Sequence, residues 1–250
     1  MKKNYFKRIA AALILALAVS VWSVPETVHA YSSIYTNDPN LYPLFDQMII
    51  EMSQTGGYTI PVTDMRTADI VNDKFRLYFL GQLPYRYAIS RVKGGFRVSP
   101  DAPLAVLQAE CANHANAKTI VDAFAVEVKD KSYMEKVDFF TKYLCTYVTY
   151  DHTGLNAENA GLALASRSVY TLFATQTAVC EGYAKAFYAL CAAAGIQVRY
   201  VEGYSGGGGH AWNEVFIPEK NNWFIYDITF TDGGASATMV PVPYNNQRGV

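Results

Sequence analysis

The 250-residue chain is short of charge of either sign: Asp, Glu, Lys and Arg make up 17% of it and nearly cancel, at a formal net charge of −1. No basic patch or stripe stands out, which excludes the electrostatic footprint of a nucleic-acid binder. The cysteines are few, Cys111, Cys145, Cys180 and Cys191, and none forms a CxxC pair. No zinc pattern can be built on them, and no segment has the spacing of a dedicated calcium loop, so no metal or other cofactor is expected. An internal repeat and a low-complexity linker are both missing, which argues against a repeat array. Past residue 30 there is no second long apolar run, and a bilayer span needs about 20 such residues.

What is present begins with a targeting pattern. Lys2, Lys3, Lys7 and Arg8 precede an apolar run of 14 residues, 9–22, and then Val28-His29-Ala30. Basic, apolar and small-residue regions in that order predict a secretory signal peptide cleaved after Ala30, hence a secreted, extracellular or cell-wall-associated protein with no membrane attachment after cleavage. The apolar run is short for an uncleaved anchor, and no cysteine follows the cleavage point to carry a lipid. Removing 1–30 takes four basic residues and one acidic residue from totals of 21 and 22, and leaves a net charge of about −4. The remainder is long enough to bury a full core without disulfides. Its aromatic share, 14% with 19 tyrosines, suits a packed globular domain and argues against disorder. Four cysteines in a secreted chain still invite a disulfide reading. Cys111, Cys145 and Cys191 are favoured as buried thiols, with a Cys111–Cys145 bridge left open.

Periodicity and turn residues give a coarse map. Residues 41–52 have helical spacing and end at Gly56-Gly57. Stretches 75–80 and 85–98 are rich in aromatic and β-branched residues, as strands are, and Lys93-Gly94-Gly95 reads as a hairpin turn in the second. The Ala-rich stretch 101–128 is helical, with Asp101 as its cap and Pro103 in its first turn. Ser132 followed by Glu135 fits a capping box for a helix over 132–148. The simplest division is a signal peptide (1–30), an N-terminal α+β region (31–130), a catalytic core (131–232) and a polar, turn-rich tail (233–250).

The most informative segment is 179–231. Cys180 opens an apolar helix in VCEGYAKAFYALCAAAG, which Gly195 ends as a left-handed cap. A thiol in a first helical turn meets unpaired backbone N–H groups and the positive end of the dipole, and both favour thiolate. The same N–H groups can hold an oxyanion. Three strands follow, 197–204, 210–217 and 223–230, the last two an antiparallel pair. With residues 218 and 219 at the centre of their turn, His210 lies opposite Asp227 on one face. Asp227 would then orient His210, and His210 would take the thiol proton. The glycine run 206–209 gives a small-residue approach. Trp212 reads as packing over the site, and Gln176 and Tyr170, which closely precede Cys180, are the candidates for a second oxyanion donor. Glu181 and Lys185 read as an exposed i,i+4 pair; His114 and His152 read as isolated.

VCEGYAKAF, AGIQVRYVEGY, HAWNEV and WFIYDIT, in that order, resemble the transglutaminase-like superfamily of papain-type cysteine enzymes, and Tyr150-Asp151 after a helix resembles its secreted bacterial members. The resemblance implies an α+β papain-like core with the cysteine helix packed on an antiparallel sheet, and a triad of Cys180, His210 and Asp227. It implies acyl transfer at an amide through a thioester, with transglutaminase, deamidase and protease outcomes all open. The expected partner is a protein or peptide substrate, a cell-wall peptide among the choices, and no nucleic acid. A catalytically silent cell-surface binding or scaffolding module is the alternative. An arylamine acetyltransferase relative is weaker, because the surroundings of Cys180 differ from that family's. Substrate and oligomeric state stay open.

Overall fold

The computed structural model describes residues 29–36, 38–155, 165–205, 208–232 and 240–241. Most of the expected signal peptide, the first two glycines of the 206–209 run and all of the tail except 240–241 lie outside the described residues. In chain order the elements are β1 (His29–Thr36), α1 (Tyr42–Thr55), β2 (Tyr58–Ile60), α2 (Met65–Tyr78), β3 (Tyr87–Val92), β4 (Gly95–Pro100), α3 (Leu104–Glu127), α4 (Tyr133–Tyr147), β5 (Thr149–Tyr150), α5 (His152–Leu155), α6 (Val169–Thr175), β6 (Thr177–Ala178), α7 (Cys180–Ala193), β7 (Val198–Ser205), β8 (Gly208–Ile217), β9 (Asn222–Tyr226), α8 (Ile228–Asp232) and β10 (Val240–Pro241). The fold is α+β, and the helix that opens with Cys180 packs on an antiparallel sheet of order β1-β7-β8-β9-β10. Among the described residues no helix is long and apolar enough to cross a membrane.

Two large hydrophobic cores hold the described residues together. In the first, Phe45, Met48 and Met52 of α1 meet Val71 and Phe75 of α2 and the inner face of the sheet β2-β4-β3. The second lies between α3, α4, α6 and α7 and the inner face of the five-stranded sheet. α3 runs through both: Leu107 and Cys111 pack in the first, Ala117, Val121 and Phe124 in the second. At 24 residues it is roughly 36 Å long at 1.5 Å per residue, enough to back both.

Local chemistry sets the element ends. Glu135 accepts hydrogen bonds from the Ser132 N–H at 2.8 Å and the Ser132 hydroxyl at 2.7 Å, fixing the start of α4. Gly195 takes φ 76° after α7, where the Ile196 N–H reaches Cys191 O at 2.9 Å and the Gly195 N–H reaches Ala192 O at 3.1 Å, the pairing of a Schellman end. The hairpin at Lys93-Gly94 forms as the sequence suggests, with Val92 paired to Gly95.

Several expectations need correction. None of 75–80 is a strand: residues 75–78 form the last turn of α2, because Ala68, Val71 and Phe75 recur at helical spacing and the Phe75 ring packs on Tyr58 at 4.5 Å. Asp101 does not cap α3; Pro103 stands at its N-cap. None of the four cysteines is in a disulfide, so the Cys111–Cys145 bridge is not formed. Two residues of the expected tail form β10, which pairs with β9. β1 begins at His29, so cleavage after Ala30 would trim only its irregular start and leave Ser33 to Thr36 paired with β7.

Candidate active site

The site is assembled where the N-terminus of α7 meets the middle of the five-stranded sheet. Val179 is the N-cap of α7, and its N–H bonds Ser166 O at 3.0 Å, so the loop 165–168 crosses the helix start. Gly182 permits this crossing: a Cβ there would lie 2.5 Å from the Ser166 carbonyl oxygen. Asn213 on β8 locks the helix to the sheet by donating to Ala184 O at 3.0 Å and Arg199 O at 3.3 Å. Cys180, in the first turn, is thereby held against β8, 9% exposed.

His210 on β8 faces it. Its Nε2 is 2.6 Å from Asp227 Oδ2, which leaves the other ring nitrogen for the hydrogen bond it makes with the Cys180 thiol. Trp212 is 2% exposed and lies beneath the imidazole, centroids 5.8 Å apart and 22° from parallel, while Phe230 covers another side at 5.2 Å. Trp212 also joins Val201 and Ile225 in a small cluster on the sheet, so it supports the histidine from within the packing.

Asp227 differs from the sequence expectation in two ways. It is not inside a strand: β9 ends at Tyr226, and Asp227 stands immediately before α8. Its Oδ1 accepts from the Phe230 N–H at 3.3 Å and its carbonyl from the Thr231 N–H at 3.1 Å, so one carboxylate oxygen caps a helix while the other holds the imidazole. The β8–β9 register is also displaced. The turn is a 3-10 segment, Pro218–Lys220, with Asn221 in the left-handed region at φ 48°, and Ile217 pairs with Asn222. That moves the pairing by two residues from the expected centre, which keeps parity and therefore the shared face. Asp227 reaches His210 diagonally from just beyond the ladder.

The electrostatics follow. Burial by itself would push the Cys180 thiol up. The hydrogen bond and charge of His210, with the backbone N–H groups of Ala211 and Glu181, outweigh burial and hold its pKa below the ordinary thiol value. Burial would likewise lower His210, but the hydrogen bonds to Asp227 and Cys180 and their negative charges raise it to about 9. Each partner thus favours the charged form of the other, and the pair is shifted toward thiolate and imidazolium. Cys191 and Cys111 are different: burial pushes Cys191 well up and Cys111 to about 11.

Tyr150 is a site residue that chemical reading of the sequence did not single out. β5 and β6 form a two-residue parallel pair, with Tyr150 beside Ala178 and the Asp151 N–H on Ala178 O at 2.9 Å. The Tyr150 ring stacks on Tyr183 of α7 at 6.4 Å, and its hydroxyl hydrogen-bonds both the backbone N–H and the thiol of Cys180. Burial and the Cys180 charge push its pKa to about 12, so it keeps its proton. Neither oxyanion candidate from the sequence has this placement. Gln176 is the exposed C-cap of α6 at φ 60°, and Tyr170, also on α6, packs against the second core with its N–H on Leu80 O at 2.9 Å. The pair Glu181 and Lys185 forms at 2.5 Å, but at 17% and 22% side-chain exposure it is not the open surface pair expected. Among the described residues no group of three or more His, Cys, Asp or Glu side chains is placed to hold a metal ion.

The chain is similar to several known proteins over part of its length. Human kyphoscoliosis peptidase is 26% identical over 136 residues, which are 49% of this chain and 20% of that protein; the mouse protein is 28% identical over 117 residues, 42% of this chain and 17% of that one. The chain thus spans about a fifth of the length of these curated relatives. Among solved structures, a putative cysteine protease from Cytophaga hutchinsonii is 25% identical, covering 45% of this chain and 37% of its own, with a TM-score of 0.36. The periplasmic domain of TgpA from Pseudomonas aeruginosa is 22% identical, covering 48% and 43%, with a TM-score of 0.37. The family model that matches spans residues 118–228. The segment that holds Cys180, His210 and Asp227 therefore matches the transglutaminase-like superfamily.

Proposed function

We propose that the protein is a secreted cysteine enzyme that transfers the acyl group of an amide through a Cys180 thioester. The observation that carries this reading is the hydrogen-bonded row Cys180, His210, Asp227 at a helix N-terminus, with the thiol held below its ordinary pKa. The Cys180 thiolate attacks the carbonyl carbon of a glutamine side chain or a peptide bond, forming the S–C bond. The oxyanion is met by the first-turn N–H groups of α7 and by the Tyr150 hydroxyl. His210, already protonated, gives its proton to the departing nitrogen as the C–N bond breaks, and ammonia or an amine leaves. His210, now neutral, deprotonates the acceptor, which attacks the thioester and returns the thiol. Water as acceptor gives deamidation or proteolysis; a lysine amine gives a cross-link. Asp227 keeps the imidazole oriented and its positive charge neutralised. Secretion is supported by the basic, apolar and small-residue order of 1–30, and a protein or peptide substrate by the chemistry of the site.

The test is the pH dependence of alkylation at each cysteine of the secreted form, resolved by mass spectrometry. Cys180 is expected to react far faster than Cys111, Cys145 and Cys191 and to stay reactive well below a free-thiol pKa of about 8.5. His210→Ala should slow it at neutral pH. An ordinary thiol profile at Cys180 would sink the proposal and leave a silent binding module.

A further inference from the structure

We propose that the cleft between Arg76, Arg167 and Lys185 is a subsite for a carboxylate of the acyl substrate, so that the preferred substrate is an acidic peptide. This rests on the reading of Cys180 as the acylated nucleophile. The cleft opens where the N-terminal region meets the start of α7, with Arg76, Tyr85, Arg167, Glu181 and Lys185 among its walls. Its link to the site is Glu181: its backbone N–H points at the Cys180 sulfur while its side chain enters the cleft.

The charges in this wall are unequal. Three cations line it, against the single carboxylate of Glu181. Glu181 is already shared, with Lys185 Nζ at 2.5 Å on one oxygen and Arg167 Nε at 3.5 Å and the Tyr85 hydroxyl at 3.0 Å on the other. Arg167 is held over the Tyr85 ring at 5.1 Å, which fixes its plane at the cleft wall. Among the described residues Arg76 has no carboxylate within ion-pair distance. Its Nη2 donates to Pro84 O at 2.9 Å, its guanidinium lies 5.3 Å from the Tyr87 ring centre, and Asp73 on the same helix is within electrostatic reach. Its Nη1 is buried with no hydrogen-bond partner. The charge of Arg76 is thus not neutralised by an ion pair at the cleft wall, and a carboxylate entering the cleft supplies the counter-charge, with the Arg167 guanidinium beside it as a hydrogen-bond donor. The binding segment would run from the cleft over Glu181 to Cys180, placing an acidic residue beside the reacting amide.

The test uses two alkylating reagents that differ by one group, the α-amides of iodoacetyl-glutamate and iodoacetyl-glutamine. In each, the Cys180 sulfur displaces iodide and forms an S–CH2 bond, so their ratio on one thiol reports only the carboxylate. The glutamate reagent is expected to react about tenfold faster or more, the worth of one charge-assisted hydrogen bond. Arg167→Gln and Arg76→Gln should each lower that ratio, the pair together should bring it near one, and Glu181→Gln should raise it by releasing Arg167 and Lys185. Arg167 is partly exposed, so its variant keeps the test sound if Arg76→Gln folds poorly. Equal rates in the unaltered protein, or a preference that survives loss of both arginines, would overturn the subsite. Slow alkylation of Cys180 by both reagents, with a free-thiol pH profile, would overturn the acyl-transfer reading separately, because the ratio is measurable on a sluggish thiol too.

Discussion

His114, at the seam between the two cores, and His210, on the sheet that carries the site, are both largely buried, yet their surroundings drive them to opposite charge states. His114 is 5% exposed, stacks on Phe79 at 5.2 Å, and its Nδ1 accepts the Leu80 N–H at 3.0 Å. It has a donor and an aromatic face but, among the described residues, no ion-paired carboxylate; burial outweighs the more distant charges of Asp46 and Asp122 and pushes its pKa down to about 4. His210 is also stacked on an aromatic ring, but it bonds Asp227 and Cys180, and these carry it to about 9. Burial is common to both; the partner decides. The same contrast separates Cys180 from Cys191, one beside an imidazolium and one in apolar packing. In these two pairs a buried titratable side chain favours its charged form only where an oppositely charged group meets it.

That contrast can be broken at its charged end first. Asp227→Asn removes the charge that raises His210 and is expected to lower turnover by about 10⁴-fold, as loss of a triad carboxylate does, and to move the alkylation profile of Cys180 upward in pH. Wild-type rates would remove Asp227 from the mechanism. Next comes the sheet that carries the site. Arg199 and Glu214, paired across β7 and β8 at 3.4 Å, are buried, and the guanidinium lies 3.8 Å from the Trp223 ring centre. Arg199→Met removes the cation beside the buried Glu214 carboxylate and should cost about 3–5 kcal/mol in urea unfolding; an unchanged midpoint would show that the pair is not what stiffens the sheet.

The neutral end is tested by acid. Above about pH 6.5 His114 is neutral folded or unfolded and contributes nothing to the slope. Between 6.5 and about 4 only the unfolded chain takes the proton, so stability should fall by about 3 kcal/mol as pH falls. His114→Gln, which can still accept the Leu80 N–H, should flatten that slope. His210 has the opposite sign: its contribution is full below about pH 6.5 and lost as pH rises through about 9. The smallest effect sharpens the site itself. Tyr150→Phe keeps the ring stack and removes one donor, and should slow acylation about 10- to 100-fold with the fold intact.

The elements that were legible in the sequence are those fixed by local chemistry. Ser132 and Glu135, Lys93-Gly94-Gly95 and Gly195 announce their own backbone geometry, and the apolar face of α7 follows from its spacing. The shared face of His210 and Asp227 was legible only with the turn centre assumed, since a one-residue slip would reverse it. The register was not, because a 3-10 turn with Asn221 in the left-handed region consumes residues that a tighter turn would leave in the strands. The helix cap at Asp227 was hidden within the strand-like pattern of residues 223–230. Tyr150 was legible only as part of a family-like pair. Its role depends on a two-residue parallel pairing with no periodicity of its own, and nearness in sequence pointed instead to Gln176 and Tyr170. The aromatic residues of 75–80 misled in the same way: composition suggested strand, while packing against Phe45 and Tyr58 selected helix.

The carboxylate of Asp227 answers to two masters, the imidazole through Oδ2 and the first turn of α8 through Oδ1. Winding of that short helix and orientation of the imidazole thus draw on one side chain. Anything that frays residues 228–232, whether heat, a nick by a protease or a competing partner, would let the carboxylate swing away and return Cys180 toward an ordinary thiol while the rest of the molecule stays folded. Inactivation should run ahead of denaturation, and the C-terminal turn would work as a safety catch on a reactive sulfur.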